Sequence, residues 1–162
     1  MRTLVLASLT FVVALPAFAG GGPTLNGAWE GSYSCKFEDS SGKGSFKVTQ
    51  SFLAISQGAI GGPLIANISD GMNSVPYSGT TVPSAGSSSE GAGAWIACGT
   101  SDATTGDLFN EIETFHYKVD ANGGGTIKKS GAYVTNGVEV GVCKGSWKRV
   151  STNPVKVVGC AP

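Results

Sequence analysis

The residues able to do chemistry are few. One histidine, His116, stands in the run ETFHYKV, whereas nucleophilic catalysis needs a nucleophile, a base and a group that orients the base. Phe115, Tyr117 and Val119 take the apolar phase of that run, so His116 shares the other phase with Thr114 and Lys118 and faces solvent. A haem or metal role for it would need a bulge near 112–115 to invert the phase. Glu111 and Glu113 lie two apart on one strand face, but glycosidase chemistry places its carboxylates across a cleft with one in an apolar pocket. They read as solvated surface charge. The segment DANGGG lacks the later acidic residues of a calcium loop and reads as a hairpin turn. With no P-loop, dinucleotide fingerprint or metalloprotease helix, the expectation is a protein that is not an enzyme and carries no cofactor and no metal.

The cysteines point to a compartment. Cys35, Cys98, Cys143 and Cys160 are too far apart for C-x-x-C zinc ligation, and His116 has no partner histidine. An even count reads instead as two disulfides formed in an oxidising compartment. The first 19 residues agree: Arg2 is a positive start, Leu4 to Leu15 is a short apolar run, and Ala17-Phe18-Ala19 offers a peptidase site, which makes 1–19 a signal peptide. The mature chain, 20–162, is of single-domain length, and a periplasmic or extracellular location follows. Without Arg2 it carries ten Lys and Arg against eleven Asp and Glu, a balance expected to offer no basic face to nucleic acid. No membrane span follows the leader, and a monomer is expected.

The elements that must position these residues are strands. Gly, Ser, Thr and Val abound, no segment after the leader repeats at helical spacing, and turn signals recur at Ser40-Ser41-Gly42, Gly61-Gly62-Pro63, Asp70-Gly71, Asp120 to Gly123 and Asn136-Gly137. Strands are expected at 26–38, 44–50, 52–57, 63–69, 73–82, 92–98, 108–119, 125–135 and 138–150, an all-β antiparallel meander of eight or nine strands. Closing into an up-and-down barrel would remove its exposed edges.

The two ends allow a test of closure. Trp29, Gly31, Tyr33, Cys35 and Phe37 share one face of the first strand, and Gly141, Cys143, Gly145, Trp147 and Arg149 share one face of the last. A single antiparallel register sets Trp29 opposite Arg149, Gly31 opposite Trp147, Tyr33 opposite Gly145, Cys35 opposite Cys143 and Phe37 opposite Gly141, with Glu30 opposite Lys148 outside. That register pairs Cys35 with Cys143 and leaves Cys98 for Cys160. Joining Cys143 to Cys160 and Cys35 to Cys98 is the alternative.

Gly27-x-Trp29 on the first strand, met by Arg149 on the last, resembles the pattern of the calycin superfamily of lipocalins and their relatives. The mature chain is also similar to small exported bacterial barrels of unassigned function. The resemblance implies that Gly27, Trp29 and Arg149, with Trp147 beside them, are structural and close one end of the barrel. The T-D-Y-type loop and the long C-terminal helix of lipocalins have no counterpart here.

For a ligand, the aromatic residues of the apolar phases are the candidates: Tyr33, Phe37, Tyr77, Phe115, Tyr117 and Tyr133, together with Phe52, would line a cavity for a small apolar or amphipathic molecule. Gly31, Gly79, Gly131 and Ala94 on inward phases would leave room, and the loops at 83–91 and 99–107 would flank the entrance. The alternative is a packed barrel that acts through its surface as an inhibitor-like or accessory module, although a trunk of only Gly20 to Thr24 is short for inhibition.

Overall fold

The computed structural model describes residues 23–39, 42–101 and 106–160. The signal peptide at 1–19 lies outside the described residues, as do Ser40 and Ser41 of the first expected turn. Nine strands follow in chain order: β1 Gly27–Asp39, β2 Gly42–Gln57, β3 Pro63–Ser69, β4 Ser74–Pro83, β5 Glu90–Ala97, β6 Thr100–Ser101, β7 Leu108–Val119, β8 Gly125–Thr135 and β9 Val138–Ser151. Each pairs antiparallel with its neighbour, β1 pairs with β9, and β5 pairs with β7 across the two-residue β6. Eight strands therefore form a closed barrel, and no helix among the described residues is long and apolar enough to cross a membrane.

The seam has the expected register. Trp29 faces Arg149, Gly31 faces Trp147, Tyr33 faces Gly145, Cys35 faces Cys143 and Phe37 faces Gly141, with Glu30 opposite Lys148. Cys35 and Cys143 are joined with Cα atoms 4.0 Å apart, and the second disulfide is Cys98–Cys160. Their presence fits an oxidising, exported environment. Beyond β9 the chain returns over the outside of the barrel, where the Cys160 amide donates to Ser78 Oγ at 3.4 Å.

One expected break is absent. Residues 44–50 and 52–57 belong to the single strand β2, which carries one extra residue where Gly31 faces Ser51 but Tyr33 faces Val48. This bulge moves the inward phase from Phe46 and Val48 to Ser51, Leu53 and Ile55, so the alternation breaks while the strand continues. Asn136-Gly137 forms the expected hairpin turn, with φ of 50° and 81° at the two central residues.

One end of the barrel is closed. The Arg149 guanidinium carbon lies 4.4 Å from the centroid of the buried Trp29 ring, its Nη1 donates to the Gly123 carbonyl at 3.3 Å, and its Nη2 donates to the Thr24 carbonyl. The indole in turn donates to the Leu25 carbonyl at 3.2 Å, which draws the chain before β1 across the opening. Leu25, Leu53, Ile55, Val119, Ile127 and Trp147 pack above this plug.

Lys36, Lys47, Lys128 and Lys144 are exposed on the four adjacent strands β1, β2, β8 and β9, and Ser34 lies between Lys47 and Lys144.

The Cys35–Cys143 bridge spans 108 residues, a loop for which chain-entropy arguments give about 3–5 kcal/mol of stabilisation. Replacing both cysteines by alanine should lower the denaturant midpoint accordingly without changing the far-ultraviolet circular dichroism of the native state. An unchanged midpoint would show that the seam does not depend on the bridge.

Candidate functional site

Along β7 the inward phase carries half-buried Phe109 and then Glu111, Glu113, Phe115, Tyr117 and Val119, all buried, while Ile112, Thr114, His116 and Lys118 between them are exposed. This corrects the reading of Glu111 and Glu113 as surface charge. His116 is exposed as expected, opposite Ala92 on β5 and Lys128 on β8. On β8 the same inward phase carries Ile127, Lys129, Gly131 and Tyr133, so Lys129 enters the barrel beside both carboxylates.

Lys129 Nζ lies 2.8 Å from Glu111 Oε2, to which it donates a hydrogen bond, and 2.6 Å from Glu113 Oε1 in an ion pair whose angles fall outside hydrogen-bond geometry. Its side chain and that of Glu113 are wholly buried, while that of Glu111 keeps 12% exposure. Neutral donors complete the cluster: Tyr77 Oη donates to Glu111 Oε2 at 2.9 Å, and Trp95 Nε1 donates to Glu113 Oε2 at 2.7 Å. The ammonium also stands 5.4, 5.3 and 5.7 Å from the ring centroids of Tyr33, Tyr77 and Trp147.

Two carboxylates sharing one ammonium have opposite electrostatic fates. Burial raises Glu113 most, Lys129 opposes that, and the neighbouring Glu111 charge adds to it, leaving Glu113 pushed up to about 7. Burial also acts to raise Glu111, but attraction to Lys129 and the hydrogen bonds from Glu113, Lys129 and Tyr77 outweigh it, so its pKa is lowered. Below about pH 7 the arrangement thus holds a proton on Glu113 and a charge on Glu111.

Above this cluster, at the end opposite the Trp29 plug, the barrel opens into a cleft of about 170 Å³ lined by Tyr33, Phe46, Val75, Phe109, Tyr133 and Glu111 among others. Tyr33 meets Phe46 at 5.8 Å and 86°, Phe46 meets Tyr133 at 6.3 Å and 75°, and Phe109 stacks on Tyr133 at 5.9 Å. Phe37 stands behind them, 5.6 Å from Tyr133. Of the aromatic residues singled out from sequence, Tyr33 and Tyr133 therefore line the cleft and Phe37 supports it. Tyr77, Phe115 and Tyr117 belong to the packed interior, with Phe115 stacked 4.3 Å from Trp95, whereas Phe52 is 38% exposed on the outer face.

The inward glycines do not leave empty space. A Cβ on Gly145 would come within 2.2 Å of the Trp147 ring, and one on Gly79 within 2.6 Å of the Trp95 side chain. Gly31 and Gly131 are filled in the same way by the chain at Trp147 and Glu113, while Ala94 points outward and is exposed. Nor do the two expected entrance loops share an end. The β4–β5 turn contacts Val119 through the Ser89 carbonyl near the closed end, whereas the connection from β5 to β7 leads to Leu108 beside Asn136 at the open end.

The sequence reading placed Glu111 and Glu113 on the surface and missed Lys129, Phe46 and Phe109. For the first three the signal was present: their odd numbers put them in phase with Phe115, Tyr117 and Ile127. Phe46 was hidden by the bulge in β2, which reverses the phase downstream.

A wider depression of about 640 Å³ runs outside the barrel along the β1–β2 hairpin, but its charges are Lys36 and the exposed Glu38–Lys43 pair, at 3.5 Å. It lacks the converging buried groups of the interior.

The raised Glu113 pKa fixes the sign of a pH effect. The folded state binds this proton more tightly than the unfolded chain, so the associated stability is full below the ordinary carboxylate range and is lost as pH rises to about 7. Glu113→Gln should flatten the fall in melting temperature between pH 4.5 and 7, and an unaltered slope would show that Glu113 is not the titrating group. Lys129→Met, which leaves the carboxylates without their counter-ion, should cost about 3–5 kcal/mol in denaturant unfolding at neutral pH. A cost below ~1 kcal/mol would contradict the buried ion pairs.

No family model matches the chain, and no curated protein or solved structure matches it with significance. The calycin likeness is therefore one of architecture, carried by the closed eight-stranded barrel and by Arg149 over Trp29.

Proposed function

We propose that this chain is an exported, non-enzymatic barrel protein that binds a small amphipathic molecule at its open end. The observation that carries the reading is the cleft between Tyr33, Phe46, Phe109 and Tyr133, with the partly exposed Glu111 carboxylate on its lining. Aromatic walls with one polar group at depth suit a ligand that has an apolar body and a polar end. The volume of about 170 Å³ falls below the ~300 Å³ of common ligand pockets, so the molecule, or the part of it that is enclosed, is small. A calycin-like plan supports the same polarity, since Trp29 and Arg149 close the other end.

A second reading has its own support. On the outer wall Ile96 faces Ile112, Ile112 faces Ala132 and Ala132 faces Val142, an apolar row across β5, β7, β8 and β9 whose three large members are 42–54% exposed. Such a row suits a protein partner.

Native mass spectrometry of the mature protein purified from its own compartment separates the readings. The ligand reading expects a stoichiometric small-molecule mass that is lost in Phe109→Ala. A clean apo mass would overturn it and favour the apolar row.

A further inference from the structure

We infer that the open end recognises a small organic cation of the methylated ammonium type, an inference that rests on the ligand reading and narrows its chemistry. Three observations converge on it. The rings of Tyr33, Phe46, Phe109 and Tyr133 come from four strands and meet at steep as well as shallow angles, so the cleft is walled by π systems on several sides. Such cages favour cations that carry their charge on a greasy surface. Val75 and Ala97 complete the wall with aliphatic groups able to contact methyls.

The second observation is charge. Among the described residues, Glu111 is the ionisable lining group other than the tyrosines, and no lysine or arginine lines the cleft. Beneath it Lys129 is committed to both Glu111 and Glu113 at 2.8 and 2.6 Å, which leaves an anionic guest no free cation. A neutral apolar guest would cover the exposed part of Glu111, whose Oε2 already accepts from Lys129 and Tyr77, without replacing the water it loses. The negative field reaches the cleft itself: after burial, Glu111, Asp70 and Glu113 raise the Tyr33 hydroxyl to about 12.

The third is a precedent inside the molecule. Lys129 places an ammonium between carboxylates with the rings of Tyr33, Tyr77 and Trp147 at 5.3–5.7 Å, and Tyr33 also walls the cleft above. A guest ammonium in the cleft would meet the same chemistry one layer nearer to solvent. A volume of about 170 Å³ accommodates a compact quaternary head but not a long chain.

The test compares choline with 3,3-dimethylbutan-1-ol, its neutral carbon counterpart of nearly the same shape, by calorimetric titration into the mature disulfide-bonded protein. Choline should bind roughly ten-fold more tightly. Glu111→Gln should remove most of that discrimination. Phe46→Leu, which sits at the rim away from the ion pairs, should weaken choline several-fold even if the Gln variant fails to fold. Equal binding of the two molecules would overturn the cation assignment while leaving the ligand reading intact. Binding of neither, with a small-molecule mass still present in the native protein, would do the same. Binding of neither, with a clean apo mass, would overturn both.

Discussion

The pairing of β1 with β9 is the constraint on which the rest of the structure depends. Because side chains alternate along a strand, the register that brings Cys35 to Cys143 also decides which residues of both strands enter the barrel. Trp29, Tyr33 and Trp147 point inward in this register, and Lys36, Lys144 and Lys148 point out. A slip by one residue would exchange these sets. Once the seam is fixed, the hairpins carry the same phase from strand to strand, until β5 meets β7 and the last edge disappears.

Within that frame the interior is layered. Near the Trp29 plug it is mainly apolar, with buried Gln57 hydrogen-bonded to Thr81 and to the Leu25 amide, and with glycines placed opposite rings so that the two fill one space. Higher up, Lys129 and two glutamates replace the apolar filling, and above them the wall becomes aromatic and opens. Buried ion clusters of this kind are poor sources of stability, because desolvation offsets much of the Coulombic gain. An apolar layer of similar volume would hold the barrel together at least as well. The polar layer is better understood as the floor of the open end, where Glu111 retains access to solvent while Glu113 and Lys129 do not.

The sequence made the fold more legible than the site, for physical reasons that particular residues display. Strict alternation over 29–37 and 141–149 left one register in which large met small, and both disulfides followed from it. Alternation failed at 49–50, where the bulge in β2 mimics the end of a strand and conceals Phe46. Glu111 and Glu113 were misread because their charge was weighed above their phase, although Phe115 and Tyr117 on the same phase marked it as inward. Their partner Lys129 lies 16 and 18 residues further on, and only the β7–β8 register brings it beside them.

The layered interior depends on the proton that Glu113 holds beside the charged Glu111 and Lys129. Carbon-13 NMR titration of the glutamate side-chain carboxyls, assigned through Glu111→Gln and Glu113→Gln, observes that proton directly. Glu113 should titrate near 7 and Glu111 below the ordinary carboxylate range, each shift moving when the other residue is replaced. Two independent titrations at ordinary carboxylate values would mean that both side chains are solvated, and would contradict the interior described above.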